Sequence, residues 1–265
     1  RSGLIQLVGS ENLKGLSNED VIEIDGVVNK RDKKFFNPKI ETGQIEIMVE
    51  KIKVLSESWP LPFDIYGNGY EIDESTRLKY RYLDLRRPRL KNNLYLRHRL
   101  LQLFRAALSK HEFWEIETPY LSKATPEGAR DFLVPSRLQP GCFYALPQSP
   151  QQYKQLLMLA GVEKYFQIVR CFRDEDLRAD RQFEFSQVDI EMSFVSRDDV
   201  LEIIEPIIIE VFEAVGKKIY KKPFPRFTYQ EAMKKYKADK FDIREKRDPG
   251  VLAFAWVVDF PLFEK

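Results

Sequence analysis

The residue types that could meet a charged ligand are densest in residues 163–195, EKYFQIVRCFRDEDLRADRQFEFSQVDIEMSFV. The stretch reads as two strands joined by a charged loop. Strand side chains alternate between faces. On the first strand Phe166, Ile168 and Phe172 share one face, and Tyr165, Gln167, Val169, Cys171 and Arg173 share the other. On the second, Val188, Ile190, Met192 and Phe194 lie opposite Gln187, Asp189, Glu191 and Ser193. One face is therefore apolar and the other acidic and amide-rich. In the connecting residues 173–181, seven of nine are charged. Such a loop has little apolar surface to order it, so a charged ligand would have to, and ATP suits it. Arg173 and Glu175 are two apart at the strand end and point the same way.

Other elements must position these groups. Residues 145–161 (ALPQSPQQYKQLLMLAG) are a punctuated helix. Ser149 suits the N-cap, Pro150 the first turn, Gln152 the capping-box position and Gly161 the stop. Leu156, Leu157, Leu159 and Ala160 are expected on its buried face. Gln151 and Lys154 lie three apart on one face near the helix start, where free N–H groups favour anions. Leu94, Leu101, Phe104 and Leu108, with Leu100, Leu103 and Ala107 beside them, repeat at helical spacing and predict an amphipathic helix of about eighteen residues. Residues 196–216 are a further helix with a broad apolar stripe, kinked at Pro206. Thr228 and Glu231 form a capping box for a short helix ending near Tyr236. Residues 253–263 (AFAWVVDFPLF) are apolar enough for a central strand of the core sheet.

Ahead of these lie short strands at residues 3–9, 21–29 and 44–55, with Gly26 marking a bulge and a change of phase near Glu50. They suggest a small β-module. Residues 56–70 carry two prolines and read as a linker. Residues 76–89 (TRLKYRYLDLRRPR) hold five Arg, one Lys and two Tyr. They suit a phosphate-facing patch, or else a solvated helix face ion-paired to Asp84 and Glu74.

At 265 residues the chain holds one large domain or two small ones, and its 43% hydrophobic content supports a real core. The net charge of +2 excludes binding to nucleic acid by bulk charge; contact would need local patches. Cys142, Cys171, His98 and His111 have no zinc-site spacing, so no structural metal is expected. Two cysteines fit a reduced, cytoplasmic setting. No apolar run approaches the ~20 residues of a membrane span.

The Phe172-Arg173-Asp174-Glu175 strand end, the charged loop and the returning strand with Phe185 and Asp189 resemble motif 2 of the class II aminoacyl-tRNA synthetases. FRDEDLRADRQ is similar to the aspartyl branch of bacterial and organellar type, as are YRYLDLRRP, KATPEGARDF (residues 123–132) and QSPQQYK. Residues 111–121 (HEFWEIETPYL) resemble motif 1, with Glu112 where the family usually has Gly. The resemblance covers most of the chain and implies an α+β fold, a class II antiparallel sheet flanked by helices and preceded by a partial OB-fold β-barrel. Residues 1–57 would be the later part of an anticodon-binding OB domain, 58–75 a hinge and 76–265 the catalytic domain. The early OB strands and motif 3 would lie beyond the chain ends, leaving this fragment alone inactive. The insertion usual in bacterial enzymes would be missing between Lys246 and Phe254.

The resemblance further implies an aspartate–tRNA ligase. It would activate L-aspartate with ATP, taken with Mg²⁺, to aspartyl-adenylate and pyrophosphate, then transfer the aspartyl group to the 3′ end of tRNA(Asp), with tRNA(Asn) an open second acceptor. Carried over residue by residue, Arg173 bridges the aspartate carboxylate and the α-phosphate. Asp174, Glu175 and Gln182 join it at the nucleotide. Glu127, Ser149, Gln151 and Asp189 surround the substrate ammonium, and Lys154 meets the side-chain carboxylate. Asparagine would be rejected because Lys154 would lose a negative partner. Arg77, Arg81, Arg86 and Arg87 would face tRNA, and Pro119 would lie at a homodimer interface. Two alternatives stay open: an asparaginyl- or lysyl-type relative, and a non-catalytic OB-fold nucleic-acid-binding protein.

Overall fold

The computed structural model describes residues 3–9, 11, 13–178 and 181–263; Ala179 and Asp180 of the charged loop lie outside the described residues. The chain divides into two compact units, Arg1–Lys91 and Asn92–Lys265.

In the first unit β1 (Gln6–Val8), β2 (Val21–Lys30) and β3 (Ile45–Ser56) form a sheet in the order β1-β3-β2. β1 runs parallel to β3, and β2 antiparallel to it. The register places Asp25 opposite Lys51 but Gly26 opposite Val49, so Glu50 is the extra residue of a bulge. This is the phase change read from the sequence. A Cβ on Gly26 would stand 2.3 Å from the Met48 carbonyl oxygen, which is why the strand needs glycine there. The sheet is open, and no closed barrel forms among the described residues. Two short helices follow, α1 (Glu74–Lys79) and α2 (Arg81–Asp84). Asp73 caps α1 by accepting from the backbone N–H groups of Ser75 and Thr76.

α3 (Pro88–Lys110) is longer than the expected eighteen residues, because Pro88 opens the helix ahead of the apolar repeat. In the second unit come β4 (Trp114–Glu115), β5 (Leu133–Pro135), β6 (Phe143–Ala145), α4 (Gln151–Leu159), β7 (Lys164–Phe172), β8 (Glu184–Met192), α5 (Arg197–Ala214), β9 (Lys218–Ile219), β10 (Arg226–Thr228), α6 (Tyr229–Tyr236), β11 (Val251–Leu252) and β12 (Trp256–Val258). The central sheet is β4-β7-β8, with the β7–β8 hairpin antiparallel and β4 parallel to β7.

The hairpin has two faces. Phe166, Ile168, Val188, Ile190 and Met192 pack against Ala107 and Leu108 of α3 and Ile207 and Val211 of α5 to make the core. Burying a side chain such as Phe166 or Leu108 contributes about 1.5–3 kcal/mol. Ser196 and Asp199 cap α5 reciprocally, and Thr228 and Glu231 do the same for α6. The other hairpin face, carrying Tyr165, Gln167, Gln187, Asp189 and Glu191, looks toward α4.

The structure corrects several expectations. β8 ends at Met192, so Phe194 leaves the apolar face; its φ is +57° and it is 98% exposed. Among the described residues, 253–263 hold only the three-residue β12, which ends where Asp259 turns the chain at φ +58° just ahead of Pro261; it pairs with β10 and not with the core sheet. Leu156 and Leu159 of α4 are exposed, whereas Lys154 is the buried residue of that helix. Glu112, where the family usually has Gly, takes the left-handed φ of +66° that glycine would supply. Its carboxylate lies 3.3 Å from the Lys164 ammonium.

Candidate active site

The polar face of β7–β8 forms the floor. Register sets Gln167 opposite Asp189 and Tyr165 opposite Glu191. Tyr165 is fully buried and its hydroxyl donates to Gln167 Oε1 at 2.9 Å; Thr118 Oγ1 donates to the same oxygen, also at 2.9 Å. Burial, reinforced by the Asp189 charge, holds the Tyr165 phenol in its neutral form by raising its pKa.

Above the floor α4 delivers Lys154. Its Nζ donates to Asp189 Oδ1 at 2.9 Å and stands 3.2 Å from Glu191 Oε2. Burial alone would lower the lysine pKa, but the two carboxylates outweigh it and raise it. Asp189 is raised by burial, against the pull of Lys154 and with the repulsion of Glu191 and Glu127. Its second oxygen, Oδ2, is buried without a hydrogen-bond partner. At the end of β7 Arg173 Nε is likewise buried and unpaired, with the guanidinium 5.1 Å from the Phe185 ring centroid. An acceptor and a donor of this region are thus left unmet by the chain itself, the chemistry a ligand with its own donor and acceptor would complete.

Cys171 shows how tightly these groups gather. Its thiol is pushed up to about 11, first by burial, then by Asp189; Glu127 adds to the rise, while Arg173 and Lys154 oppose it. The sequence-predicted Arg173, Glu127, Lys154 and Asp189 thus act on one point of the floor. Ser149 joins them by donating to Glu127 Oε2 at 2.5 Å, while Thr125 donates to Glu127 Oε1 at 2.8 Å. That contact displaces the expected cap: Pro150 occupies the N-cap of α4 and no side chain caps the helix. Gln151 sits half-buried in the first turn. Asp174 donates its backbone N–H to the Arg130 carbonyl at 3.0 Å, tying residues 123–132 to the start of the charged loop. Glu175 lies 3.7 Å from Arg181, and Gln182 is exposed. Pro119 is exposed beside the buried Thr118.

Sequence reading missed the partner of Lys154, Glu191, as a charge balance. Asparagine would not strand Lys154, since two acids already neutralise it. Gln148, which grips residues 129–131, was also missed; it lies in irregular backbone where no periodicity exposes a buried amide.

Arg77, Arg81, Arg86 and Arg87 belong to the first unit. Arg87 is 0% exposed and donates from Nε to Asp84 Oδ1 at 2.8 Å, from Nη1 to the Gly67 carbonyl at 2.8 Å and from Nη2 to the Asp64 carbonyl at 2.5 Å. Arg81 and Arg77 lie 2.8 and 3.7 Å from Asp84 Oδ2, and Arg86 pairs with Glu19. Arg87 therefore cannot face a phosphate, because it is enclosed by its own chain.

The family described as tRNA synthetases class II (D, K and N) matches residues 73–265. This chain belongs to that family. Among curated relatives, the aspartate–tRNA(Asp/Asn) ligase of Moorella thermoacetica is 53% identical over 252 residues, covering 92% of this chain and 42% of the relative. That of Dictyoglomus turgidum is 54% identical over the same length and the same shares. The chain thus spans less than half the length of these relatives. Asparaginyl-tRNA synthetase from Entamoeba histolytica in complex with asparaginyl-adenylate superposes with a TM-score of 0.66 at 26% identity, covering 85% of this chain and 53% of that one. The aspartyl tRNA synthetase of the same organism gives 0.67 at 24% identity, covering 91% and 55%. These likenesses place the α+β arrangement within the class II synthetase fold. No helix among the described residues is long and apolar enough to cross a membrane.

Proposed function

We propose that this chain is the amino-acid-activating part of an aspartate–tRNA ligase. The observation that carries the reading is the Lys154–Asp189 pair: the lysine holds Asp189 Oδ1 and leaves Oδ2 unpartnered in the site. An α-ammonium is the chemistry Oδ2 lacks, with Glu127 and Ser149 closing the other side and Gln151 at the helix start. The remaining N–H of Lys154 would take the substrate side-chain carboxylate. The high identity to ligases named for aspartate favours this amino acid over asparagine or lysine.

In the reaction the aspartate α-carboxylate attacks the α-phosphate of ATP; the new O–P bond forms as the bond to pyrophosphate breaks, leaving aspartyl-adenylate. No proton need move, so the barrier falls mainly by charge stabilisation. Arg173 would bridge carboxylate and phosphate, with Asp174, Glu175 and Gln182 at the nucleotide. ATP would come as its Mg²⁺ complex, the metal spreading the phosphate charge. Among the described residues no three acids, imidazoles or thiols gather to hold a metal by themselves. The aspartyl group would then pass from the adenylate to the 3′-terminal hydroxyl of tRNA(Asp), the acyl bond to AMP breaking as the ester forms and AMP leaving, and likewise to tRNA(Asn) if the whole enzyme is non-discriminating. The same reading takes residues 1–57 as the later part of an OB-fold domain, 58–75 as a hinge and 76–265 as catalytic. It further takes the enzyme as a cytoplasmic homodimer with Pro119 at its interface.

ATP–pyrophosphate exchange by the full-length protein tests this, with aspartate and asparagine compared. Aspartate-dependent exchange is expected. Absence of exchange with aspartate, in a protein shown to be folded, would overturn the reading; exchange with asparagine alone would move it to the asparaginyl type.

A further inference from the structure

Gln148 is 1% exposed and lies just ahead of α4. The hydrogen bonds of its side chain all go to one short segment. Its Oε1 accepts from the Ala129 N–H at 3.0 Å, and its Nε2 donates to the Ala129 carbonyl at 2.9 Å and to Asp131 Oδ1 at 2.6 Å. The next residue, Ser149, holds Glu127 Oε2 at 2.5 Å. Consecutive residues ahead of α4 thus grip both flanks of Gly128, which takes the left-handed φ of +98° with open space around it. α4 is also the helix that delivers Lys154.

We infer that Gln148 is a positioning residue: it fixes residues 127–131 relative to α4 and so sets where the Glu127 carboxylate stands above Asp189 and Lys154. This rests on the proposed aspartate site. The geometry asks for an amide and nothing else. A hydrophobic side chain leaves the Ala129 N–H and carbonyl unmet. A glutamate keeps the acceptor but sets a carboxylate against both the Ala129 carbonyl and Asp131. The grip needs one acceptor and two donated hydrogens on a single flat group. Ser149 and Thr125 hold the side chain of Glu127, and Ser149 does not hold the backbone that carries it. The other backbone tie, Asp174 N–H to the Arg130 carbonyl, comes from the charged loop.

The test uses Gln148→Glu, Gln148→Met and the pair Gln148→Glu/Asp131→Asn in the full-length protein. Methionine keeps the volume and removes all three bonds, and covers the case in which a buried carboxylate prevents folding. The paired variant reverses the 148–131 hydrogen bond, since the amide introduced at position 131 can donate to the carboxylate introduced at 148. Two readouts are taken: KM and kcat in aspartate-dependent exchange, and the rate of tryptic cleavage at Lys123 and Arg130 below the unfolding temperature. We expect the aspartate KM to rise about ten- to a hundredfold, as unmet buried groups of this kind warrant. ATP KM and kcat should move by no more than about threefold, and cleavage should quicken about tenfold. The paired variant should recover part of both changes. An unchanged aspartate KM, or a changed KM with unchanged cleavage, overturns the inference. If the wild type shows no aspartate-dependent exchange, the functional reading falls by itself, and unchanged cleavage in Gln148→Met still overturns the anchoring.

Discussion

Two clusters in this molecule bring arginine or lysine against buried acid, and they differ in how completely they are closed. In the first unit Asp84 is 0% exposed and takes Arg87 on one oxygen and Arg81 on the other, while Arg87 also holds the carbonyls of Asp64 and Gly67. Even the backbone is fitted to it: at Gly69, φ +77°, a Cβ would stand 2.6 Å from Arg87 Nε. In the second unit Lys154 also faces two acids, yet Asp189 Oδ2 and Arg173 Nε are left without partners. The Asp84 cluster meets its hydrogen bonds from within the chain. The Lys154 cluster leaves an acceptor and a donor unmet, which is what the proposed ligand would supply.

The largest expected effect is at Lys154. Lys154→Leu leaves Asp189 and Glu191 side by side without a cation, which for a buried pair costs about 3–5 kcal/mol. Most of that should appear as lost activation, on the order of 10³-fold in aspartate kcat/KM. Exchange kinetics that leave aspartate KM and kcat unchanged would remove Lys154 from the site and collapse the contrast between the clusters.

Arg87→Ala should do the reverse. It strips a cation from Asp84, which keeps Arg81, and two hydrogen-bond donors from the Asp64 and Gly67 carbonyls. A loss of about 3 kcal/mol in unfolding free energy is expected, read by urea denaturation. Exchange activity per folded molecule should change no more than about twofold. A variant that keeps its stability while losing tRNA charging would mean that Arg87 reaches a phosphate after all, and that the first cluster is not closed.

How much of each cluster was legible in the sequence follows from geometry. The hairpin faces were legible because period-2 alternation survives in β7 and β8, and the capping boxes at Ser196 and Thr228 because they are local in sequence. The Gly26 bulge and Glu50 phase change were legible for the same reason. The partners of Arg87 lie 20 and 23 residues away on backbone carbonyls, which have no side-chain signature. Five arginines in one stretch therefore read equally as a phosphate patch or an ion-paired helix face. α4 misled through its leucines: Leu156 and Leu159 suggested burial, but the helix turns Lys154 inward because two carboxylates wait there. Arg173, Lys154, Asp189 and Glu127 were found through resemblance to family motifs; no periodicity distinguishes them from surface charges.

The finest contrast lies within the site itself, at Cys171. The thiol sits on the polar floor but is closed like the Asp84 cluster, 0% exposed with Sγ donating to Gln187 Oε1 at 3.2 Å. Burial and Asp189 push it up to about 11 from an ordinary 9.0. Between those values the folded protein holds a proton that the unfolded chain has released. Stability from this group is thus complete below pH 9 and falls as pH rises toward 11, by up to about 2–3 kcal/mol. Tyr165, also raised, contributes a slope of the same sign, so the measurement is the difference between wild type and Cys171→Ala. The variant should lose less stability across pH 9–11, and at neutral pH a thiol reagent should label the exposed Cys142 and spare Cys171 until the protein unfolds. Equal pH slopes, or labelling of Cys171 in the native state, would show that the floor is open to solvent, and the two clusters would then differ in access and not only in unmet hydrogen bonds.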